Sequence, residues 1–192
     1  MADSAQNLLT VEEFLAWESG DDYRYELWDG RVVMMAPPSP SHAALIGELV
    51  GRLFNAIRSR PECRVLDGAG LRSLARARSF YIPDILVTCT RSDIEDGEVR
   101  NPILVIEVLS PSTERGDRRR KLVEYRAVPS VREIVLIDCR QLFAEIHRRD
   151  EGGRWFVDVL GEPEARLRLE SAGLDVSLDE LYRGLPLEEA AS

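Results

Sequence analysis

Two short aliphatic runs, ILVIEVLS at 103–110 and EIVLID at 133–138, constrain this chain more than any other feature. Each is as long as a strand, and too continuously apolar for a strand with one wet face. Each therefore reads as a strand covered on both sides. Between them SPSTERGD reads as loop and cap, the pattern predicts a helix over about 115–127, and Pro129 ends it. A helix between two buried strands sets the centre of a mixed α/β domain.

The flanks add to that centre. Thr10 with Glu13 forms a capping-box signature that opens a short helix over 11–18, stopped at Gly20. YRYELWDGRVVMM carries two apolar–aromatic runs around Asp29-Gly30, a hairpin signal. After Pro37, Pro38 and Pro40 the period becomes helical over 41–60, with Leu45, Leu49, Leu53 and Ile57 in one stripe. Ile46, Val50 and Phe54 flank it, and Arg52 and Arg58 lie on the solvent side. Short strands are predicted near 63–66 and 80–89. FAEIHRR and RWFVDVL predict a hairpin turning at 151–153, and 178–183 a last short helix. No internal repeat or low-complexity tract interrupts the chain, and 44% apolar with 31% charged residues is too apolar for disorder. The expectation is one domain over 1–192.

The formal charge of −9 argues against a nucleic-acid partner only until the charges are placed. Residues 1–29 hold eight acids and one base, and residues 150–192 eleven acids and four bases. Residues 30–149 hold fifteen acids and twenty bases, so a +5 middle lies between two ends of −7 each. Of 25 bases only Lys121 is lysine. Cys63, Cys89 and Cys139 form no CxxC or Cys/His cluster, and buried free thiols in a reducing cytosol are expected. The N-terminus lacks the basic and apolar regions of a signal peptide, and no apolar run reaches the ~18 residues of a membrane span. A cytoplasmic protein with no membrane partner is the expectation.

Two acids stand where a core strand should have none. Asp84 opens an apolar strand directly after Pro83, and Glu107 lies inside the first aliphatic run. A buried carboxylate needs a cation, a base or a metal, because leaving it unpaired costs several kcal/mol. Hard ions such as Mg²⁺ take one or two carboxylates, with waters and phosphate completing the shell. Lys121 follows Glu107 by 14 residues on the next helix, and its compact ammonium suits a partly buried reactive site better than arginine does. The competing readings stay open. Glu107 could pair with an arginine, Asp84 could be a solvated turn residue, and Lys121 could pair with Asp117 one turn earlier.

The series ELWDG (26–30), PPSPSH (37–42), IPD (82–84), VIEVLSPST (105–113), DRRRKLVEY (117–125) and VPSVREIVLID (128–138) resembles the Uma family of restriction endonucleases. That family is placed in the PD-(D/E)xK nuclease superfamily. The resemblance covers nearly the whole chain. It implies a restriction-endonuclease-like mixed central sheet flanked by helices, an α/β (α+β) fold with an added antiparallel hairpin. It also implies a metal site at the ends of two adjacent strands. Pro83-Asp84 matches the "PD" and Glu107 the "(D/E)". Val108-Leu109 stands where "xK" belongs, so the strand lacks its lysine, and Lys121 on the following helix takes that place. Glu26 matches the acid that such sites draw from their first part, as an auxiliary ligand or water-positioning group, with an ordinary edge-strand acid as the alternative.

The resemblance implies that these residues serve a metal-dependent endonuclease. Asp84 and Glu107, with the Val108 carbonyl, would hold Mg²⁺ or Mn²⁺. Lys121 would orient the attacking water or stabilise the pentavalent charge. Arg118, Arg119 and Arg120, beside Lys121, and His42, at the start of the long helix, are candidate substrate contacts. Arg58, Arg60, Arg64, Arg72, Arg76 and Arg78 could extend a phosphate-binding surface, and 67–79 could form a flap over it. His147 is expected on the surface. No zinc cluster or nucleophile elbow is present. DNA is the expected substrate, and cutting both strands favours a homodimer. Two other readings keep the same residues. One is a non-catalytic nuclease-fold module that binds nucleic acid or itself. The other is a nuclease of mobile-element origin that relies on a partner for DNA recognition.

Overall fold

The computed structural model describes residues 8–90, 92, 94, 95, 97–109, 120–185 and 187. Helix α1 (Val11–Leu15) carries the expected capping box, with Thr10 Oγ1 accepting from Glu13 N and Glu13 returning to Thr10 N. Strands β1 (Tyr25–Trp28) and β2 (Arg31–Met34) form the hairpin. Its turn needs two left-handed residues, and Asp29 (φ 48°) and Gly30 (φ 85°) supply them. Helix α2 (Pro40–Ala56) starts on the Ser39 cap with proline at its first position, where a missing N–H costs nothing. Strands β3 (Arg64–Asp67), β4 (Leu71–Arg72), β5 (Phe80–Tyr81) and β6 (Ile85–Thr88) follow, then the ribbon β7 (Ile94–Glu95) and β8 (Glu98–Val99).

Strand β9 (Leu104–Leu109), helix α3 (Leu122–Ala127) and strand β10 (Glu133–Asp138) make the central crossover unit, with β9 and β10 parallel. The hairpin β11 (Ala144–Arg149) and β12 (Trp155–Leu160) extends the sheet. A second hairpin, β13 (Arg166–Leu169) and β14 (Leu174–Ser177), leads into α4 (Leu178–Leu181).

The central sheet runs β12-β11-β10-β9-β6-β3, and a four-stranded sheet runs β2-β1-β5-β4. In the central sheet every pair but β9–β10 is antiparallel. The strands formed by the two aliphatic runs, β9 and β10, are buried along their whole length, as their composition predicts. One face of the central sheet, with Ile85, Ile106, Val108 and Val135, packs on Leu45, Leu49 and Leu53 of α2 and on the β13–β14 hairpin. The opposite face, with Leu86, Val105, Leu109 and Leu136, meets Tyr125 of α3 and Leu71 and Tyr81 of the small sheet. Each buried leucine of the α2 stripe contributes about 1.5–3 kcal/mol of apolar burial. The fold is therefore mixed α+β, a central mixed sheet flanked by few helices.

Several expectations change. The strand predicted over 80–89 is two strands, because Pro83 lacks a donor and the chain leaves the small sheet for the central one at 82–84. The β13–β14 hairpin was not foreseen, although RLRL and LDVS alternate as a half-buried hairpin should. The helix after β9 begins at Leu122 among the described residues, and its predicted first turns over 115–119 lie outside them. Cys63 and Cys89 form a disulfide, which corrects the expectation of three free thiols; only Cys139 is free. The two flank the paired strands β3 and β6, whose antiparallel register brings them opposite each other. His147 is buried rather than on the surface, because it sits on β11 facing Arg126, whose Nη2 lies 2.8 Å from its Nδ1. The segment 67–79 is no loose flap: it contains β4, and Ser73 and Arg76 tie it to Glu124. No helix among the described residues is long and apolar enough to cross a membrane.

Candidate active site

Alternation along β9 turns Glu107 toward the α3 face, between Val105 and Leu109. Only 3% of Glu107 is exposed. Its Oε1 accepts from the Tyr125 hydroxyl and from Lys121 Nζ at 3.2 Å. Lys121 and Tyr125 are four residues apart, so one helical face carries both donors. Lys121 Nζ also lies 2.9 Å from Glu26 Oε1. Glu26 projects from β1 and accepts from Ile82 N and Trp28 Nε1, each at 2.8 Å. One ammonium is thus shared by two buried carboxylates from different sheets.

Asp84 stands at the mouth of β6. The β6–β9 register pairs Ile85 with Ile106, so its continuation by one residue sets Asp84 across from Glu107 on the same face. Asp84 Oδ2 accepts from Val108 N at 2.7 Å. His42, in the first turn of α2, places Nε2 3.0 Å from the Val108 carbonyl and 3.5 Å from Asp84 Oδ2. The structure therefore forms two groups that adjoin at Glu107 and Val108 of β9: Glu26 and Lys121 with Glu107, and Asp84 and His42 on the Val108 peptide.

Asp84, Glu107 and the Val108 carbonyl would offer an ion hard oxygens only. No group of three or more His, Cys, Asp or Glu side chains fit to hold a metal occurs among the described residues. That combination suits a Mg²⁺-like ion, which keeps several waters, and does not suit zinc.

The arginines divide. Arg118 and Arg119 lie outside the described residues. Arg120 sits 5.0 Å over the Trp28 ring and pairs with Asp29. Arg76 also pairs with Asp29, and that hydrogen bond, with the nearby Arg120 charge, holds the Asp29 carboxyl below its usual range. Arg60 donates to the Ser171 carbonyl, Arg64 to Pro61 and Cys63 carbonyls, and Arg72 pairs with Glu12 and Glu98. Much of the basic middle is thus engaged by protein acceptors. The sequence reading missed Tyr125 and Glu124. Their spacing from Lys121, three and four residues on along a predicted helix, was the signal that could have found them.

The family model for Uma2, described as "Putative restriction endonuclease", matches residues 11–179. Two relatives come from Synechocystis sp., both named as uncharacterized proteins. The protein slr1290 is 29% identical over 178 residues, covering 92% of this chain and 93% of its own length. The protein sll1609 is 26% identical over 166 residues, covering 84% and 93%. The crystal structure of "a putative nuclease belonging to DUF820" from Anabaena variabilis superposes with a TM-score of 0.73 at 21% identity, over 91% of this chain and 97% of that one. At that identity the likeness establishes the shared fold alone. The family match, by contrast, runs from α1 into α4 through every residue of the buried cluster, and the chain belongs to the Uma2 family, "Putative restriction endonuclease".

Proposed function

We propose that this chain, acting as one domain, is a Mg²⁺- or Mn²⁺-dependent endonuclease that hydrolyses phosphodiester bonds of nucleic acid, DNA in the first place. The observation that carries this reading is the meeting of Asp84, Glu107 and Lys121, from β6, β9 and the start of α3, at one end of adjacent strands. Asp84, Glu107 and the Val108 carbonyl would hold the ion. Such an ion supplies Lewis-acid polarisation of the scissile phosphate and a water that ionises near neutral pH.

The chain's own groups do the rest. Lys121 presents a fixed positive charge toward the developing pentavalent phosphorane. Glu26, saturated by Lys121 and two N–H donors, fixes that ammonium and acts as a positioning group rather than a ligand. His42, with Nε2 on the Val108 carbonyl and beside Asp84, would orient that carbonyl and contact the substrate. Two cuts in a duplex call for two such sites, so a homodimer is part of the proposal, as is a cytoplasmic location.

The test is cleavage of plasmid DNA and of RNA by purified protein with Mn²⁺. Nicking that vanishes with chelator and in Asp84→Ala and Glu107→Ala is the expected result. No cleavage of either substrate, or equal cleavage by the Ala variants, would sink the reading. One observation favours a non-catalytic module: the Glu26–Lys121–Glu107 group is already a satisfied ion-pair network. Calorimetry separates the two, since Mn²⁺ binding lost in Asp84→Asn belongs to the enzyme and no binding even with DNA present belongs to the module.

A further inference from the structure

Asp29 occupies an odd position for a turn residue. Both its oxygens are gripped by arginine: Arg76 Nη1 lies 3.0 Å from Oδ1 and 3.1 Å from Oδ2, and Arg120 Nη2 donates to Oδ2. Each guanidinium is held from behind. Arg76 Nε donates at 2.8 Å to the buried Glu124, and its backbone N donates at 2.8 Å to Ser73 Oγ. Arg120 stacks on Trp28, whose indole N–H goes to Glu26. Arg120 Nε is buried without a hydrogen-bond partner among the described residues. The carboxylate they hold, by contrast, is about half exposed.

Two fixed guanidiniums converging on one exposed, two-oxygen anion make the same fork that binds phosphate. A phosphodiester offers two charged non-bridging oxygens in place of the two carboxylate oxygens. The turn itself does not need the acid, since asparagine tolerates left-handed geometry equally well. We propose that Arg76 and Arg120 form a binding site for a backbone phosphate of the nucleic acid, and that Asp29 fills it as an internal surrogate until substrate displaces it. Arg120 stacks on Trp28, which donates to Glu26, and this contact chain connects the fork to the proposed catalytic group. This inference rests on the nucleic-acid reading above, and it adds a binding site and a built-in competitor to it.

The test is binding of a fluorescent mixed-sequence DNA duplex without divalent ion, so that nothing is cut. Asp29→Asn should bind about five- to tenfold more tightly at low salt, and its log–log salt slope should steepen by about one phosphate contact. Asp22→Asn, which removes the same charge from an exposed segment, measures the general effect of lost acid and should change affinity less. The double variant Asp29→Asn/Arg120→Gln should fall back to wild-type affinity. Inorganic phosphate should weaken duplex binding by Asp29→Asn more than by wild type. No gain in Asp29→Asn beyond Asp22→Asn, or a gain that survives loss of Arg120, overturns the proposal. Melting curves of each variant exclude misfolding, and Arg120→Gln leaves the buried Glu124 partner of Arg76 in place. Asp84→Asn keeps this outcome apart from the hydrolytic reading. A gain in Asp29→Asn from a protein that cuts nothing supports the phosphate site and removes the enzyme. Cleavage lost in Asp84→Asn with no gain in Asp29→Asn does the reverse.

Discussion

Lys121 and Glu26 meet at 2.9 Å with both side chains nearly closed to solvent, and their contact ties the start of α3 to the second sheet. Removing one member of a buried pair strands the other charge, at a cost of about 3–5 kcal/mol. Lys121→Met should therefore lower the unfolding free energy by that much, read as a lower urea midpoint, since it leaves Glu26 and Glu107 facing each other without this cation. Glu26→Gln/Lys121→Met should cost less than the two single changes together. Additive losses would mean that the pair does not form.

The Cys63–Cys89 bridge joins residues 26 apart in sequence. Closing a loop of that size limits the unfolded chain and is worth about 3 kcal/mol. Titration of thiols in unfolded, unreduced protein should find one, Cys139. Reductant should lower the thermal midpoint, and Cys63→Ser/Cys89→Ser should show the same lower midpoint without further response to reductant. Three titratable thiols would restore the reading of the sequence.

What could be read in advance follows from how each residue breaks its surroundings. Glu107 was visible because a carboxylate inside an aliphatic run has no cheap explanation, and Lys121 because it is the single lysine among 25 bases. Asp84, an acid at the head of an apolar strand, was the weaker signal, since Pro-Asp is ordinary turn chemistry. Contacts between distant elements were not legible. Nothing in ELWDG says that Glu26 reaches Lys121, because the packing of two sheets decides it. Glu124 and Tyr125 look solvent-facing on a short helix until Ser73 and Glu107 are brought against them. The arginine-rich middle showed its charge in the sequence, while the acids that engage much of it come from other segments, among them Glu12 and Asp29.

Asp138 gives the protein an acid-sensitive step. Burial alone would raise its pKa, but hydrogen bonds from the Arg140 side chain and backbone, and from Gln141, hold it below its usual value. The unfolded chain thus takes up this proton more readily than the folded one. The stabilisation is full above the unfolded pKa of about 4 and is lost as pH falls through the lower folded value. Asp138→Asn should cost about 1–3 kcal/mol at pH 7, and its stability should fall less steeply than wild type below about pH 4. Urea unfolding at several pH values reads both. Parallel curves for the two proteins would contradict the assignment. Asp150 and Asp175 have the same depressed direction, but their ion pairs are solvated and contribute little.

Tyr125 places on Glu107 a hydroxyl that the motifs did not announce. Its ring meets Tyr81 edge-on with centroids 6.2 Å apart, and its O–H donates to Glu107 Oε1. Tyr125→Phe keeps the ring contact and deletes only the donor, so the loss measures the hydrogen bond. A bond to a charged acceptor in a buried site is worth about 1.5–3 kcal/mol, and the unfolding free energy should drop by that amount. Glu107, a metal ligand in the proposed function, also loses one of the donors found on its Oε1 among the described residues. Groups that orient a metal ligand in this way typically change affinity by about 10–100-fold when removed. Mn²⁺ titration by calorimetry should therefore show weaker binding in Tyr125→Phe, with kcat for DNA cleavage falling more than KM rises. If stability drops while Mn²⁺ affinity and kcat stay at wild-type values, Tyr125 serves the core alone and Lys121 by itself suffices to orient Glu107.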